Sequence, residues 1–280
     1  MFTKAIVRLP APNFSEGLTT VNTDSGSGRP QFERALEQHA AYCAALEQCG
    51  LTLTRLDPDP SYPDSTFVED TAILTERLNE ASSTRAVITR PGAPSRQGEV
   101  IQVRAVLADF YRELLSIDEP GTLDGGDVCQ AGNQFFVGLS ERTNEAGAQQ
   151  LAELLASFDY TSTLVDIRKI DGLLHLKSGL AYLGDERLVI AEELYDGLAS
   201  ESQTNGLRYD HIFTDFALVR VNSEQAYAAN CIRVNDYVLL AAGYPSFEET
   251  LGELGYQTIA LEMSEFQKMD GGLSCLSLRF

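Results

Sequence analysis

Apolar and polar positions along the chain change period repeatedly, and the changes mark out its elements. Residues 5–9 alternate as a strand. Residues 10–30 form a polar stretch containing Gly17, Gly26 and Gly28, and a loop of that length in a compact domain is commonly a lid or a binding loop. From Gln31 the spacing becomes helical, with Phe32, Ala35, Leu36, His39, Cys43 and Leu46 on one stripe until Gly50 stops it. His39 and Cys43 on that stripe read as packing residues. Residues 51–56 return as a strand.

Beyond this point one pattern recurs without a recurring sequence. A polar-bearing strand over residues 66–73 precedes an apolar strand at 86–89, a helix over about 97–114 and a short extended piece. The order returns from residues 122–128, with strands at 134–137 and 162–167 around a helix at 144–158. It returns again from 174–178, with a strand at 187–191 and a short helix near 192–198. A fourth copy starts at 228–232, followed by 237–241, a helix at 247–254 and a strand at 256–261. The final stretch, Asp270-Gly271-Gly272-Leu273-Ser274-Cys275-Leu276-Ser277-Leu278, opens a fifth copy and the chain stops. Its missing strand, helix and strand are those at the N-terminus.

Asp70, Asp124, His175, Asn230 and Cys275 mark the five leading segments, spaced about 50 residues apart. Such a period predicts radially arranged blades, and completing the last blade with the first segment leaves no free edge. The expected fold is therefore α/β: a five-bladed pseudo-symmetric propeller of ββαβ units, closed by the N-terminal segment, in one domain over residues 1–280. Leading strands line the axis of such a ring, so their polar side chains converge there.

Composition narrows the functional classes. With 41 acidic against 21 basic residues the net charge is −20, which argues against nucleic acid or an anionic membrane as partner. There is no signal-peptide core and no bilayer-length apolar run. The five cysteines (Cys43, Cys49, Cys129, Cys231, Cys275) lack metal-ligand spacing, so reduced thiols and a cytoplasmic location are expected. Cys129 and Cys231 read as packing, and so does His211. Gly125-Gly126 lacks the Lys and helix start of a phosphate loop; no nucleotide, other cofactor or metal is called for. The sequence admits a homodimer without setting the oligomeric state.

The chemistry rests on what would meet at the axis: Cys275, His175 and the carboxylates of Glu69, Asp70, Asp124 and Asp64. A thiol is mostly protonated at neutral pH and needs a nearby cation to become a nucleophile. Several acids in one cavity are costly unless a cation neutralises them. A planar, positively charged substrate meets both needs, and a guanidinium matches carboxylates bidentately. Taken alone, each acid reads as a surface ion-pair partner and Cys275 as a buried, inert cysteine.

Phe67-Val68-Glu69-Asp70, Ile88-Thr89-Arg90-Pro91-Gly92-Ala93-Pro94-Ser95-Arg96, Gly138-Leu139-Ser140-Glu141-Arg142-Thr143-Asn144, Leu174-His175-Leu176-Lys177 and Asp270-Gly271-Gly272-Leu273-Ser274-Cys275 closely resemble dimethylarginine dimethylaminohydrolases of the guanidine-modifying, or amidinotransferase, superfamily. The resemblance covers nearly the whole chain. Relative to the bacterial form, the visible departure is a longer polar excursion over residues 76–85. The resemblance implies a five-bladed α/β propeller and a role for each matching residue. Cys275 would attack the guanidinium carbon. His175 would protonate the departing amine and then activate water. Asp70 and Asp124 would hold the guanidinium nitrogens. Arg96 and Arg142 would clamp the α-carboxylate, backbone at Leu18 and Met269 would receive the α-amino group, and Asp64 and Glu69 would complete the polar wall.

The implied reaction is hydrolysis of Nω-methylated L-arginine to L-citrulline and a methylamine through a covalent cysteine adduct. Arginine deimination is the rival within the fold, although arginine deiminases are considerably longer chains. An agmatine-type deiminase would not need the Arg96 and Arg142 pair. A non-enzymatic propeller acting as a binding module is the rival from another class.

Overall fold

The computed structural model of the chain describes residues 1–20, 28–75, 85–205 and 212–280. His211, part of the 10–30 loop and most of the 76–85 excursion lie outside the described residues. The N-terminal segment supplies β1 (Lys4–Arg8), α1 (Phe32–Gln48) and β2 (Thr52–Leu56). Next come β3 (Ala72–Thr75), β4 (Arg85–Ile88), α2 (Val100–Leu107) and β5 (Glu113–Ser116). The second full blade is β6 (Val128–Ala131), β7 (Gln134–Leu139), α3 (Glu145–Ala156) and β8 (Thr161–Asp166). The third is β9 (Leu180–Gly184), β10 (Arg187–Ala191), α4 (Glu192–Asn205) and β11 (Ala217–Val221). The fourth is β12 (Ile232–Val234), β13 (Tyr237–Ala241), α5 (Pro245–Glu253) and β14 (Gln257–Leu261). A short α6 (Ser264–Gln267) leads to β15 (Leu278–Arg279).

These strands form five three-stranded sheets, ordered β3-β4-β5, β6-β7-β8, β9-β10-β11, β12-β13-β14 and β15-β1-β2. In each, the leading strand runs antiparallel to the middle one, and a helical crossover returns the third strand parallel to it. The C-terminal β15 pairs antiparallel with β1, Ala5 opposite Arg279 and Ile6 opposite Leu278, so the last blade is built from both ends of the chain, as the pattern predicts.

The middle strands read as continuous apolar runs because neighbouring blades cover both of their faces. In β7, Phe135 enters one interblade core and Phe136 the next. In β10, Leu188 and Ile190 go one way, Val189 and Ala191 the other. In β1, Ala5 and Val7 separate from Ile6 in the same manner. Five apolar cores thus sit between successive blades, and the ring closes by packing rather than by pairing one sheet's strands with the next. Local signals define the ends of the helices. The Asn144 side chain accepts from the Gly147 amide to cap α3, Pro245 opens α5, and Gly50 follows α1 at φ +92°. No helix among the described residues is long and apolar enough to cross a membrane.

Two expectations need correction. The helix over 97–114 is a 3-10 turn (Pro94–Glu99) followed by α2 and then β5, because residues 113–116 pair with β4. The leading segments also begin not as strands but as 3-10 turns: Val68–Thr71, Gly125–Asp127, Leu176–Ser178, Ser223–Ala229 and Ser274–Leu276, each followed by its leading strand. Strand β11 has no counterpart in the pattern reading.

Candidate active site

The five turns crowd around the axis. The first touches the second and the fifth, and the third touches the second and the fourth. Between the fourth and fifth, Asn230 donates from Nδ2 to Ser274 Oγ (3.2 Å) and accepts the Ser274 amide at Oδ1 (3.0 Å). A tight turn breaks the two-residue alternation of a strand, so a residue within it or at its edge can face along the axis instead of into an interblade core. Glu69, Asp70 and Cys275 lie within turns, while Asp124 and His175 each immediately precede one.

Asp70, Asp124 and His175 are buried, with ligating atoms all within 4.8 Å of one another. The Gly126 amide donates to Asp70 Oδ1 (2.8 Å), and the Gly92 amide donates to Asp124 Oδ1 (2.8 Å). His175 Nε2 donates to Asp124 Oδ2 (3.1 Å). Glycine is required at 126, where a Cβ would lie 2.8 Å from His175 Nδ1 and 3.0 Å from Asp70 Oδ1. Burial alone would depress the His175 pKa, but Asp70, Asp127 and Asp124 outweigh it and lift the imidazole to about 10. Burial likewise opposes ionisation of Asp70, yet Arg96, His175 and the Gly126 amide hold its carboxyl below the usual range.

The fifth turn brings Cys275, whose sulfur accepts from the Gly272 amide (3.4 Å) and lies 3.9 Å from Ser274 Oγ. Burial first, then the negative fields of Glu69 and Asp70, push the thiol up to about 12. Without a ligand the site is a neutral thiol among acids with an imidazolium beside them. A protonated imidazole has no lone pair for a metal ion, whereas each carboxylate oxygen keeps a second acceptor direction for a cation with N–H donors. The cluster therefore suits an organic cation better than a metal.

Residues 14–20 and the segment before the nucleophile turn close one side. The Leu18 amide donates to both Asp64 oxygens (3.1 Å each), and a Cβ on Gly17 would lie 2.3 Å from Asp64 Oδ1 and 3.1 Å from Met269 Cε. The Thr20 amide donates to Asp270 Oδ2 (2.5 Å). Leu18, Asp64 and Met269 are therefore brought together. Burial raises the Asp64 pKa, and the opposing charges include Arg142. Among the described residues the Arg142 guanidinium makes no ion pair, and its amide donates to Ser140 Oγ (3.0 Å).

Two of the expected substrate-contact residues hold partners within the protein. Arg96 is buried and donates from Nη1 to Asp70 (2.6 Å), from Nε and Nη2 to Glu99 (3.0 and 2.8 Å) and from Nη2 to the Phe67 carbonyl (3.2 Å). It braces Asp70. Glu69 takes Lys177 at Oε1 and Ser274 Oγ at Oε2 (2.8 Å), tying three turns together. It also borders a cavity of about 870 Å³ among the leading strands.

Glu99 and Asp127 were not singled out in the sequence. Burial, opposed by Arg96, raises Glu99 to about 7. Its separation of three from Arg96 was a readable helical-pair signal. Asp127, three residues after Asp124, had none, because the segment read as a strand. His39 (about 4), Cys43 (about 11), Cys129 (about 11) and Cys231 (about 12) are buried and shifted first by burial against their charged forms, consistent with packing roles. All five cysteines are unpaired.

Known proteins resemble the chain over its whole length. The family described as arginine deiminase matches residues 67–279. The N(G),N(G)-dimethylarginine dimethylaminohydrolase of Pseudomonas aeruginosa is 41% identical over 281 residues, covering all of both chains. A serine-for-cysteine variant of the Pseudomonas aeruginosa enzyme, solved with citrulline, superposes with a TM-score of 0.88 at 40% identity over all of both chains. A glycine-for-histidine variant of a dimethylarginine dimethylaminohydrolase, in an adduct with S-methyl-L-thiocitrulline, gives 0.87 at the same identity and coverage.

Proposed function

The chain belongs to the dimethylarginine dimethylaminohydrolase family, and we propose that it hydrolyses Nω-methylated L-arginine to L-citrulline and a methylamine, working as one propeller domain over residues 1–280. The observation that carries this reading is the cluster at the axis: buried Asp70, Asp124 and His175 have ligating atoms within 4.8 Å of one another, and the turn bearing Cys275 packs against the turn bearing Asp70. A guanidinium brings the positive charge and the planar N–H donors that such carboxylates hold.

In this mechanism the guanidinium enters between Asp70 and Asp124, and its charge offsets the acids that keep Cys275 protonated. His175 already holds a proton, so the thiol proton leaves to solvent. The thiolate attacks the guanidinium carbon, and His175 gives its proton to the departing amine as the carbon–nitrogen bond breaks. Neutral His175 then takes a proton from a water that adds to the thiouronium carbon. Collapse of that adduct expels the thiolate, loses the hydroxyl proton and leaves the ureido group of citrulline. Arg142 receives the substrate carboxylate, and the Asp64–Leu18–Met269 side receives the α-amino group. Arg96 works through Asp70. Five unpaired cysteines accord with a cytoplasmic enzyme.

Incubation with dimethylarginine, monomethylarginine, arginine and agmatine, followed by a colorimetric ureido assay, tests the reading. Turnover of the methylated arginines is expected, with none after Cys275→Ser. Turnover of arginine alone would make the protein a deiminase. Turnover of nothing would make it a binding module.

A further inference from the structure

We propose that Asp127 is a positioning residue for this reaction, one carboxylate that ties the His175 turn, the Asp124 backbone and the Arg142 loop into a single unit. The inference rests on the reaction proposed above. Asp127 is fully buried and sits at the end of the turn that Asp124 begins. Its Oδ1 accepts the Leu176 amide (3.0 Å), which fixes the first residue of the turn carrying His175. Its Oδ2 accepts both the Ser140 and Thr143 hydroxyls (2.6 Å each).

Those two hydroxyls pass the restraint on. Ser140 Oγ accepts the amides of Arg142 (3.0 Å) and Thr143 (3.1 Å), so the loop that presents Arg142 is shaped around it. Thr143 Oγ1 accepts the Asp124 amide (3.1 Å). Acid holder, imidazole and carboxylate-binding arginine come from two blades and a loop, and all three are referred to the same two oxygens. A ring assembled by apolar packing alone would leave these segments to slide by fractions of an ångström, which is enough to spoil alignment at the reacting carbon.

The carboxylate also acts through its charge. His175 is faced by Asp70, Asp127 and Asp124, and Asp127 is in turn faced by His175 and Asp124, with two hydroxyls and one amide aimed at it. An acid within about 4–6 Å moves an imidazole by roughly one to three pH units.

The test is Asp127→Asn, which keeps shape and removes charge, read first by NMR titration of the His175 imidazole, assigned by its absence in His175→Gln. This readout does not depend on turnover, so it separates a failure of the positioning role from a failure of the proposed reaction. In Asp127→Asn the imidazole should titrate lower by about one pH unit or more, with kcat for methylarginine down by about 10-fold or more. An imidazole that titrates as in the wild type would overturn the proposal. Thr143→Val keeps the Asp127 charge and removes one link, so its imidazole should titrate unchanged while KM for methylarginine rises by about 3- to 10-fold. An unchanged KM in that variant would also overturn the proposal, and this arm decides the matter if Asp127→Asn does not fold.

Discussion

Placing a guanidinium cation beside the Cys275 sulfur should turn a nearly inert thiol into a nucleophile. With its pKa pushed up to about 12 by burial, Glu69 and Asp70, the free thiol is ionised at pH 7 to only about one part in 10⁵. A unit positive charge about 4 Å away, at an effective dielectric of about 20, contributes about 4 kcal/mol, or about three pH units. The thiol would then titrate near 9, and its ionised fraction at pH 7 would rise by about 10³-fold. The sign follows from the charge: a cation favours the thiolate, so occupancy lowers the pKa. Two measurements check this. Thiolate absorbance near 240 nm, as a difference against Cys275→Ser, should stay flat up to about pH 10 in the free protein. A cationic haloacetamidine should alkylate Cys275 at neutral pH about 10²- to 10³-fold faster than iodoacetamide, after correction for their rates with a free thiol. A free-protein titration at or below about pH 8.5, the reference value of an exposed thiol, would refute the reasoning. So would equal corrected rates.

Other consequences can be checked separately. Arg142→Ala removes a charge-assisted contact worth about 1.5–3 kcal/mol, so KM for methylarginine should rise by about one to two orders of magnitude in steady-state kinetics. Gly125→Ala would place a Cβ 2.0 Å from the Glu69 carbonyl oxygen, forcing two axial turns apart. Chemical denaturation should show a loss of about 1–3 kcal/mol. Because folding raises the His175 pKa from 6.5 to about 10, its stabilisation is complete below about 6.5 and is lost as pH rises through about 10. His175→Gln should therefore show a shallower fall in thermal stability between those limits, by up to about 1.4 kcal/mol per pH unit. Parallel curves would remove the charge assignment.

Much of the architecture was legible along the chain because its signals are local. Strands β10 and β13 fall where the apolar runs place them, and α1, α3 and α5 lie within one or two residues of their periodic stripes. The spacing of Asp70, Asp124, His175, Asn230 and Cys275 likewise announced a ring closed by its first segment. Periodicity failed at the turns. Residues 66–73 read as a polar-bearing strand, and the 3-10 turn that Val68–Thr71 form is selected by neighbouring turns around the axis.

Which acids and bases meet was likewise a property of the assembled ring. The Arg96–Glu99 pair is local, but Asp70 approaches Arg96 from another segment. Glu69 is matched with Lys177 across 108 positions of sequence, which no spacing rule could anticipate. The protonation of Cys275 and His175 was beyond the sequence for the same reason. A pKa sums burial and the fields of all nearby charges, and here those charges come from separate blades. The chain order supplies the groups and a repeating scaffold to carry them; distances between the blades decide which of them act on one another.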